Sequence, residues 1–223
     1  MKEPTESAPA REDREKFWNA PNVLTLIRFI LVPVFSLMVL QRRALGSLVV
    51  FLAAGLTDVL DGLAARTWHQ RTRVGTIIDP LADKLLLATA FVLLTFADLS
   101  FAYSLPRWLT AAVLTRDFII VSGGLIIYSM RGRKEFPPTT LGKISTVFQV
   151  GTVFWVILSN YVQTLALDRM SAVSGATSPA VLSVLFVATL VFTVVSGLNY
   201  VLRGIRMTFF SDRIGGRGDQ APV

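Results

Sequence analysis

Six apolar runs, each long enough to cross a lipid bilayer, constrain this chain more than any other feature. A spanning helix needs about 20 mainly apolar residues. The runs cover residues 22–40, 45–66, 79–101, 108–130, 143–165 and 179–202. They are continuous rather than alternating, which disfavours a β-barrel. Since 52% of the residues are hydrophobic and only 17% are charged, we predict an all-α integral membrane bundle of six transmembrane helices that occupies residues 22–203 as one domain.

The basic residues between the runs predict how the bundle is oriented. Thirteen Lys and Arg residues fall in residues 1–21, 67–78, 131–142 and 203–223, against four in the alternate loops. Positively charged loops stay on the cytoplasmic side, so we expect both termini in the cytoplasm and a multi-pass protein of the cell (inner) membrane. The basic residues form no single stripe, and we expect no nucleic-acid partner.

The two ends of the chain differ in composition from the bundle. Residues 1–21 are polar and then amphipathic around Phe17 and Trp18, which predicts an interfacial N-terminal segment. Residues 204–223 are basic, polar and Gly-rich, which predicts a disordered tail.

Four aspartates interrupt the second and third runs, where apolar side chains are expected. Asp58 and Asp61 lie in "AGLTDVLDGLAAR", and Asp79 and Asp83 lie in "DPLADKLLL". Spacings of three and four residues place both members of a pair on one helix face. Pro80 suits the first position of a helix whose N-cap is Asp79, but capping would explain that aspartate alone.

Carboxylates gathered by an antiparallel helix pair cannot all stay ionised without cations, because like charges repel and burial adds to the cost. Oxygen ligands without His or Cys favour Mg²⁺ or Mn²⁺, which usually bind phosphates as well. Gly62 and Ala65 would let a ligand approach closely, and Arg66 suits phosphate oxygens. These residues predict a metal–pyrophosphate site at the inner membrane surface. Structural ion pairs with Arg28, Lys84 or Arg116 are the alternative.

The spacing resembles the signature of the CDP-alcohol phosphatidyltransferases at all eight fixed positions. The pattern is Asp58-x2-Asp61-Gly62-x2-Ala65-Arg66-x8-Gly75-x3-Asp79-x3-Asp83. The resemblance covers about residues 20–205 and implies a homodimeric membrane enzyme. Such an enzyme would transfer a phosphatidyl group from CDP-diacylglycerol to an alcohol and release CMP.

The resemblance also implies roles for individual residues. Asp58, Asp61, Asp79 and Asp83 would bind two Mg²⁺ or Mn²⁺ ions, and Asp83 would also act as the general base for the acceptor hydroxyl. The residues that would contact the CDP-lipid are Gly62, Ala65, Arg66, Thr72, Gly75, Asn22 and Thr25.

The acceptor is predicted from two cations on the fourth and fifth runs. Arg116 and Lys143 lie at membrane depth and could bind an acceptor phosphate, whereas snorkelling, or pairing of Arg116 with Asp117, is the alternative. The first run and "GTIIDPLADKLLLA" resemble phosphatidylglycerophosphate synthases, which use glycerol 3-phosphate. The Arg116-Asp117 pair instead resembles CMP-forming cardiolipin synthases, whose acceptor is phosphatidylglycerol.

Two other functions use intramembrane carboxylates. Membrane prenyltransferases combine Asp-rich motifs with Mg²⁺ and a diphosphate, but their motifs have a different spacing. A cation transporter would place acids near mid-membrane and often in repeated halves. Here the acids cluster in the first half of the chain, without a repeat.

Overall fold

The regular secondary structure is helical in the part of the protein that its structure, a computed structural model, describes. The backbone is described for residues 20–68, 75–96, 101–131, 139–165, 175 and 177–215, and the side chains for 26–57, 84–96, 101–123, 139–165, 175 and 177–203. The helices are α1 (Ala20–Leu40), α2 (Ala44–Trp68), α3 (Gly75–Phe96), α4 (Arg107–Arg131), α5 (Thr140–Thr164) and α6 (Pro179–Gly215). Each predicted run overlaps one helix, which confirms the all-α fold class for the described residues.

The chain divides into two compact units, Met1–Ala102 and Tyr103–Val223. In the first unit, α1 packs against both α2 and α3. Val32, Ala54 and Leu86, one from each helix, form a buried cluster. This cluster places Val32, Ala54 and Leu86 at a common height along the three helices.

A short turn joins α1 to α2. Arg42 adopts a left-handed conformation with φ 60°, and the Arg43 N–H donates to the Met38 carbonyl at 2.9 Å. This arrangement satisfies a carbonyl that the end of α1 would otherwise leave without a partner. The turn therefore holds the end of α1 close to the start of α2.

In the second unit, α6 packs against both α4 and α5. The Tyr200 hydroxyl donates to the Ile120 carbonyl at 3.2 Å, which ties α6 to α4. Phe148 of α5 stacks on Phe192 of α6 with ring centroids 4.3 Å apart. Polar and aromatic contacts together therefore set the register of the three helices.

Two helical segments of the described part, Thr140–Thr164 and Pro179–Arg203, are long and apolar enough to cross a membrane. Shorter apolar segments occupy Leu26–Leu40, Ala44–Thr57 and Lys84–Phe96. The predicted six-span topology remains a prediction.

Two predicted boundaries are wrong. Helix α3 begins at Gly75, so Asp79 lies inside the helix and is not its N-cap. One proline near a helix start removes a single backbone hydrogen bond, which a helix that continues for several turns tolerates. Helix α6 continues to Gly215, so residues 204–215 are helical rather than disordered. Residues 1–19, including the predicted interfacial segment around Phe17, lie outside the described residues.

Candidate active site

The four aspartates of the motif lie on two helices of the first unit. Asp58 and Asp61 are in α2, and Asp79 and Asp83 are in α3. Since both segments are helical, the spacings of three and four residues correspond to about one turn each. Their side chains lie outside the described residues, so their placement follows from the backbone.

Chain length requires α2 and α3 to form an antiparallel hairpin. Ala54 and Leu86 pack in one cluster. At 1.5 Å per residue, Ala54 lies about 21 Å from Trp68, the last residue of α2, and Leu86 lies about 16 Å from Gly75, the first residue of α3. Parallel helices would separate those ends by about 37 Å, but the seven residue steps between them reach only about 25 Å. The helices therefore run in opposite directions.

The hairpin brings all four aspartates to one level. Asp58 and Asp61 lie about 6 Å and about 10 Å from the level of Ala54, in the direction of the connection. Asp83 and Asp79 lie about 4 Å and about 10 Å from the level of Leu86, in the same direction. Measured along the two helix axes, both pairs therefore fall in one layer about 6 Å deep, on the connection side of the cluster.

Most of the remaining residues predicted to bind the CDP-lipid lie on the same helices or on α1. Gly62, Ala65 and Arg66 follow the aspartates on α2, and Gly75 is the first residue of α3. Asn22 and Thr25 lie at the start of α1. Thr72 lies outside the described residues.

Arg116 is the best defined of the predicted acceptor-binding residues. It lies in α4 and is only 8% exposed. One terminal nitrogen donates to Asp117 Oδ1 at 2.6 Å and the other to Ser196 Oγ at 3.0 Å. The buried Nε has no hydrogen-bond partner in the described part of the chain. Arg116 therefore forms the pair with Asp117 that was the alternative to phosphate binding, and it also has a partner on α6, Ser196, that the sequence did not indicate.

Two glycines make room for Arg116. A Cβ on Gly197 would lie 3.3 Å from Arg116 Cγ, and a Cβ on Gly142 would lie 3.4 Å from a terminal nitrogen of its guanidinium. Gly142 is in the first turn of α5, where its N–H donates to Oγ1 of the N-cap residue Thr139 at 3.1 Å. The guanidinium therefore lies beside the N-terminus of α5, which carries a partial positive charge.

Lys143 is the next residue of α5, and its side chain is exposed. The buried Arg116 guanidinium lies beside the helix N-terminus at Gly142, and Lys143 is the next residue in the chain; these three residues are defined here as the cationic cluster. Such a combination can bind a phosphate. We refer to it below as the cationic cluster.

Buried polar side chains continue from this cluster along the α5–α6 interface. Thr152 and Thr189 have hydroxyl oxygens 2.6 Å apart. Gln149 Nε2 donates to Thr193 Oγ1 at 3.2 Å and to Ser145 Oγ at 3.4 Å. Ser145, Gln149 and Thr152 on α5, like Thr189, Thr193 and Ser196 on α6, are spaced by four and three residues, which puts these buried side chains on facing sides. The same spacing in the sequence could have identified the interface.

An apolar groove lies farther along the same two helices. Its volume is about 740 Å³, and its lining includes Phe148, Phe154 and Trp155 from α5 and Val184 and Ala188 from α6. Carbon-lined grooves suit apolar chains rather than phosphates. The cationic cluster and the groove therefore offer different chemistry.

Comparison with known proteins identifies the class to which this arrangement belongs. Residues 18–195 match the CDP-alcohol phosphatidyltransferase family. This match covers most of the chain, and the chain belongs to that family. The family match supports phospholipid synthesis and does not support the transporter alternative.

Individual relatives carry two different names. A CMP-forming cardiolipin synthase from Rattus norvegicus is 37% identical over 61% of this chain and 43% of its own length. A CDP-diacylglycerol–glycerol-3-phosphate 3-phosphatidyltransferase from Aquifex aeolicus is 34% identical over 86% of this chain and 98% of its own. The protein of that name from Escherichia coli K12 is 34% identical over 63% of this chain and 77% of its own. The chain thus spans about half the length of its animal relatives.

Proposed function

We propose that this protein is a metal-dependent phosphatidyltransferase of phospholipid biosynthesis. It would move the phosphatidyl group of CDP-diacylglycerol to the hydroxyl of a phosphate-bearing glycerol acceptor and release CMP. The observation that carries the proposal is that the four aspartates of the motif lie on α2 and α3, two helices that share one buried cluster. Family membership and the names of the relatives support the same reaction.

The residues of the layer fit two hard divalent cations. Four carboxylates provide only oxygen donors, which suits Mg²⁺ or Mn²⁺. Asp58, Asp61, Asp79 and Asp83 would hold the ions. When bound, the ions would neutralise the diphosphate and stabilise the departing CMP.

The chain's own residues would bind, orient and deprotonate the substrates. Asp83 would accept the proton of the acceptor hydroxyl, whose oxygen then attacks the phosphorus of the phosphatidyl group. The bond between that phosphorus and the bridging oxygen breaks, and the electron pair leaves with CMP. Arg66 would bind diphosphate oxygens, while Gly62 and Ala65 would leave space for the nucleotide. Thr72, Gly75, Asn22 and Thr25 would complete the CDP-lipid site.

The cationic cluster would hold the phosphate of the acceptor. Two acceptors carry a suitable phosphate: glycerol 3-phosphate, predicted from the sequence, and phosphatidylglycerol, the alternative. The name of the Aquifex relative supports the first. The name of the Rattus relative and the resemblance of the Arg116-Asp117 pair to cardiolipin synthases support the second.

We further propose a homodimer in the inner membrane with six spanning helices, both termini in the cytoplasm and the aspartate layer at the cytoplasmic face. The excess of basic residues in the predicted inner segments supports this orientation. The two helical segments of spanning length support the membrane assignment.

Isosteric replacement of the aspartates tests the proposed chemistry. Asp83→Asn would remove the base and one ligand, and we expect CMP release to fall at least about a hundredfold. Asp168→Asn changes a carboxylate outside the motif and serves as the matched control. Near-normal CMP release by folded Asp83→Asn protein would refute the proposed role.

A further inference from the structure

Arg28 brings a positive charge into the interior of the first unit. Its side chain, in α1, is only 1% exposed. The other buried residues described on α1 are Val32, Phe35 and Val39. Spacings of four, three and four residues put these positions on one helix face. The same face packs on α2, because the rings of Phe35 and Phe51 lie 6.0 Å apart. A guanidinium therefore continues the apolar packing face of α1.

Arg28 also lies at the level of the motif aspartates. The short turn after α1 makes α1 antiparallel to α2, so α1 runs parallel to α3. Arg28 precedes Val32 by four residues and thus lies about 6 Å from the buried cluster, on its connection side. On the same side, Asp58 lies about 6 Å and Asp83 about 4 Å from the cluster. The three helices therefore bring Arg28, Asp58 and Asp83 to nearly one height.

The aspartate positions continue the buried faces of the other two helices. Position 58 follows Ala54 by four residues on α2, and position 83 precedes Leu86 by three residues on α3. These are the spacings of neighbours on one helix face. Both positions therefore lie on the sides of their helices that carry the buried cluster, as Arg28 does on α1.

A buried guanidinium needs a compensating anion, because an unpaired charge inside a protein is strongly destabilising. Residues 20–96 contain four acidic side chains, and all four belong to the motif. The sequence offered pairing with Arg28 as an alternative to a metal site. One guanidinium balances only one of four carboxylates, however, so pairing and metal binding are compatible.

We propose that Arg28 is a fixed counter-ion of the aspartate layer, which stabilises the carboxylates in the metal-free protein and competes electrostatically with the divalent cations for them. The inference rests on the proposed function and deepens it, because it takes the four aspartates to be the metal site. Arg28 is a positioning residue in this arrangement. Loss of its charge should strengthen metal binding and destabilise the metal-free protein.

A role confined to the packing of α1 leads to a different expectation. Replacement of Arg28 would then lower the Tm of metal-free and metal-loaded protein by the same amount. A counter-ion of the layer couples the two states, because a ligand that binds the folded state more tightly also stabilises it more. The increase in Tm on addition of Mn²⁺ therefore separates the two roles.

The test titrates the purified full-length chain with Mn²⁺, without lipid substrates, and measures the free ion by electron paramagnetic resonance. Arg28→Gln removes the charge, and we expect the Kd for Mn²⁺ to fall at least about tenfold and the increase in Tm to exceed that of the wild type. Arg28→Lys keeps the charge and should stay within about threefold of the wild-type Kd. Arg43→Gln changes an exposed arginine in the turn at the far end of α1 and serves as the matched control. A smaller decrease in Arg28→Gln, an increase, or an equal decrease in Arg28→Lys would overturn the inference.

Double variants supply a second measurement if Arg28→Gln does not fold. Asp58→Asn or Asp83→Asn removes one negative charge from the layer, and one of them combined with Arg28→Gln should restore folded, monodisperse protein in size-exclusion chromatography. Failure of both combinations would also overturn the inference. A wild-type chain that binds no Mn²⁺ would instead refute the proposed metal site.

Discussion

Replacing Gly142 by alanine tests the space around Arg116 at the N-terminus of α5. The new Cβ would lie 3.1 Å from Thr139 Oγ1 and 3.4 Å from a terminal nitrogen of Arg116. Both atoms are held by hydrogen bonds, so each has to yield by a few tenths of an ångström. Gly151→Ala is the matched control on the same helix, because nothing lies within 4 Å of its Cβ.

The two substitutions should differ in their effect on stability. Alanine gains up to about 1 kcal/mol over glycine inside a helix, and Gly151→Ala should show most of that gain. In Gly142→Ala the gain is offset by weakening of the Thr139 cap, since a cap of this kind contributes about 1 kcal/mol. We therefore expect Gly151→Ala to raise the free energy of unfolding in detergent micelles and Gly142→Ala to leave it nearly unchanged.

The kinetic consequence should be specific to the acceptor. Hydrogen bonds to charged groups contribute about 1.5–3 kcal/mol, and weakening one without breaking it should cost about 1 kcal/mol, or about fivefold in the KM of the acceptor. The KM of CDP-diacylglycerol should not change. Steady-state kinetics with each substrate varied in turn measures both constants. An unchanged acceptor KM in folded Gly142→Ala protein would show that the guanidinium does not bind the acceptor.

Two further substitutions probe the second unit. Thr152→Val removes the buried hydroxyl contact to α6 and should lower the free energy of unfolding by about 1 kcal/mol. Thr146→Val, at an exposed position of α5, should change the free energy of unfolding little. Equal effects of the two substitutions in chemical unfolding would contradict this expectation. Asn160 bonds both the N–H and the carbonyl of Tyr103 at 2.9 Å, so Asn160→Leu should cost about 2–3 kcal/mol. Gln163→Leu, which loses one bond to the Tyr103 hydroxyl, should cost less than about 1 kcal/mol, and thermal unfolding measures the difference.

Most of the helices were predictable because apolar length alone indicates a helix in a chain like this. The positions at which the helices begin and end were less predictable. The sequence placed the start of α5 at residue 143, but Thr139 caps the helix and α5 begins at Thr140. Likewise, Gly75 starts α3 before Asp79, and the polar composition after residue 203 hid the continuation of α6 to Gly215. Hydropathy marks where apolar residues stop, whereas caps and backbone hydrogen bonds determine where a helix stops.

The aspartate motif was predictable as a pattern, and its geometry needed the fold. Spacing within each helix gave the shared faces, but the common level of the two pairs depends on Ala54 and Leu86 belonging to one buried cluster. The surroundings of Arg116 were only partly predictable. Asp117 is adjacent in the sequence and was foreseen as a partner, whereas Ser196 lies eighty residues away and no local pattern linked the two.

The most direct test of the proposed activity follows CMP and the lipid product with purified protein and CDP-diacylglycerol. Glycerol 3-phosphate and phosphatidylglycerol are offered in separate reactions, each with Mg²⁺ and then with excess EDTA. We predict stoichiometric CMP and product lipid that depend on both the acceptor and the metal, and that disappear with EDTA. If folded protein releases no CMP with either acceptor, or releases it equally in EDTA, the proposed metal-dependent phosphatidyl transfer is wrong.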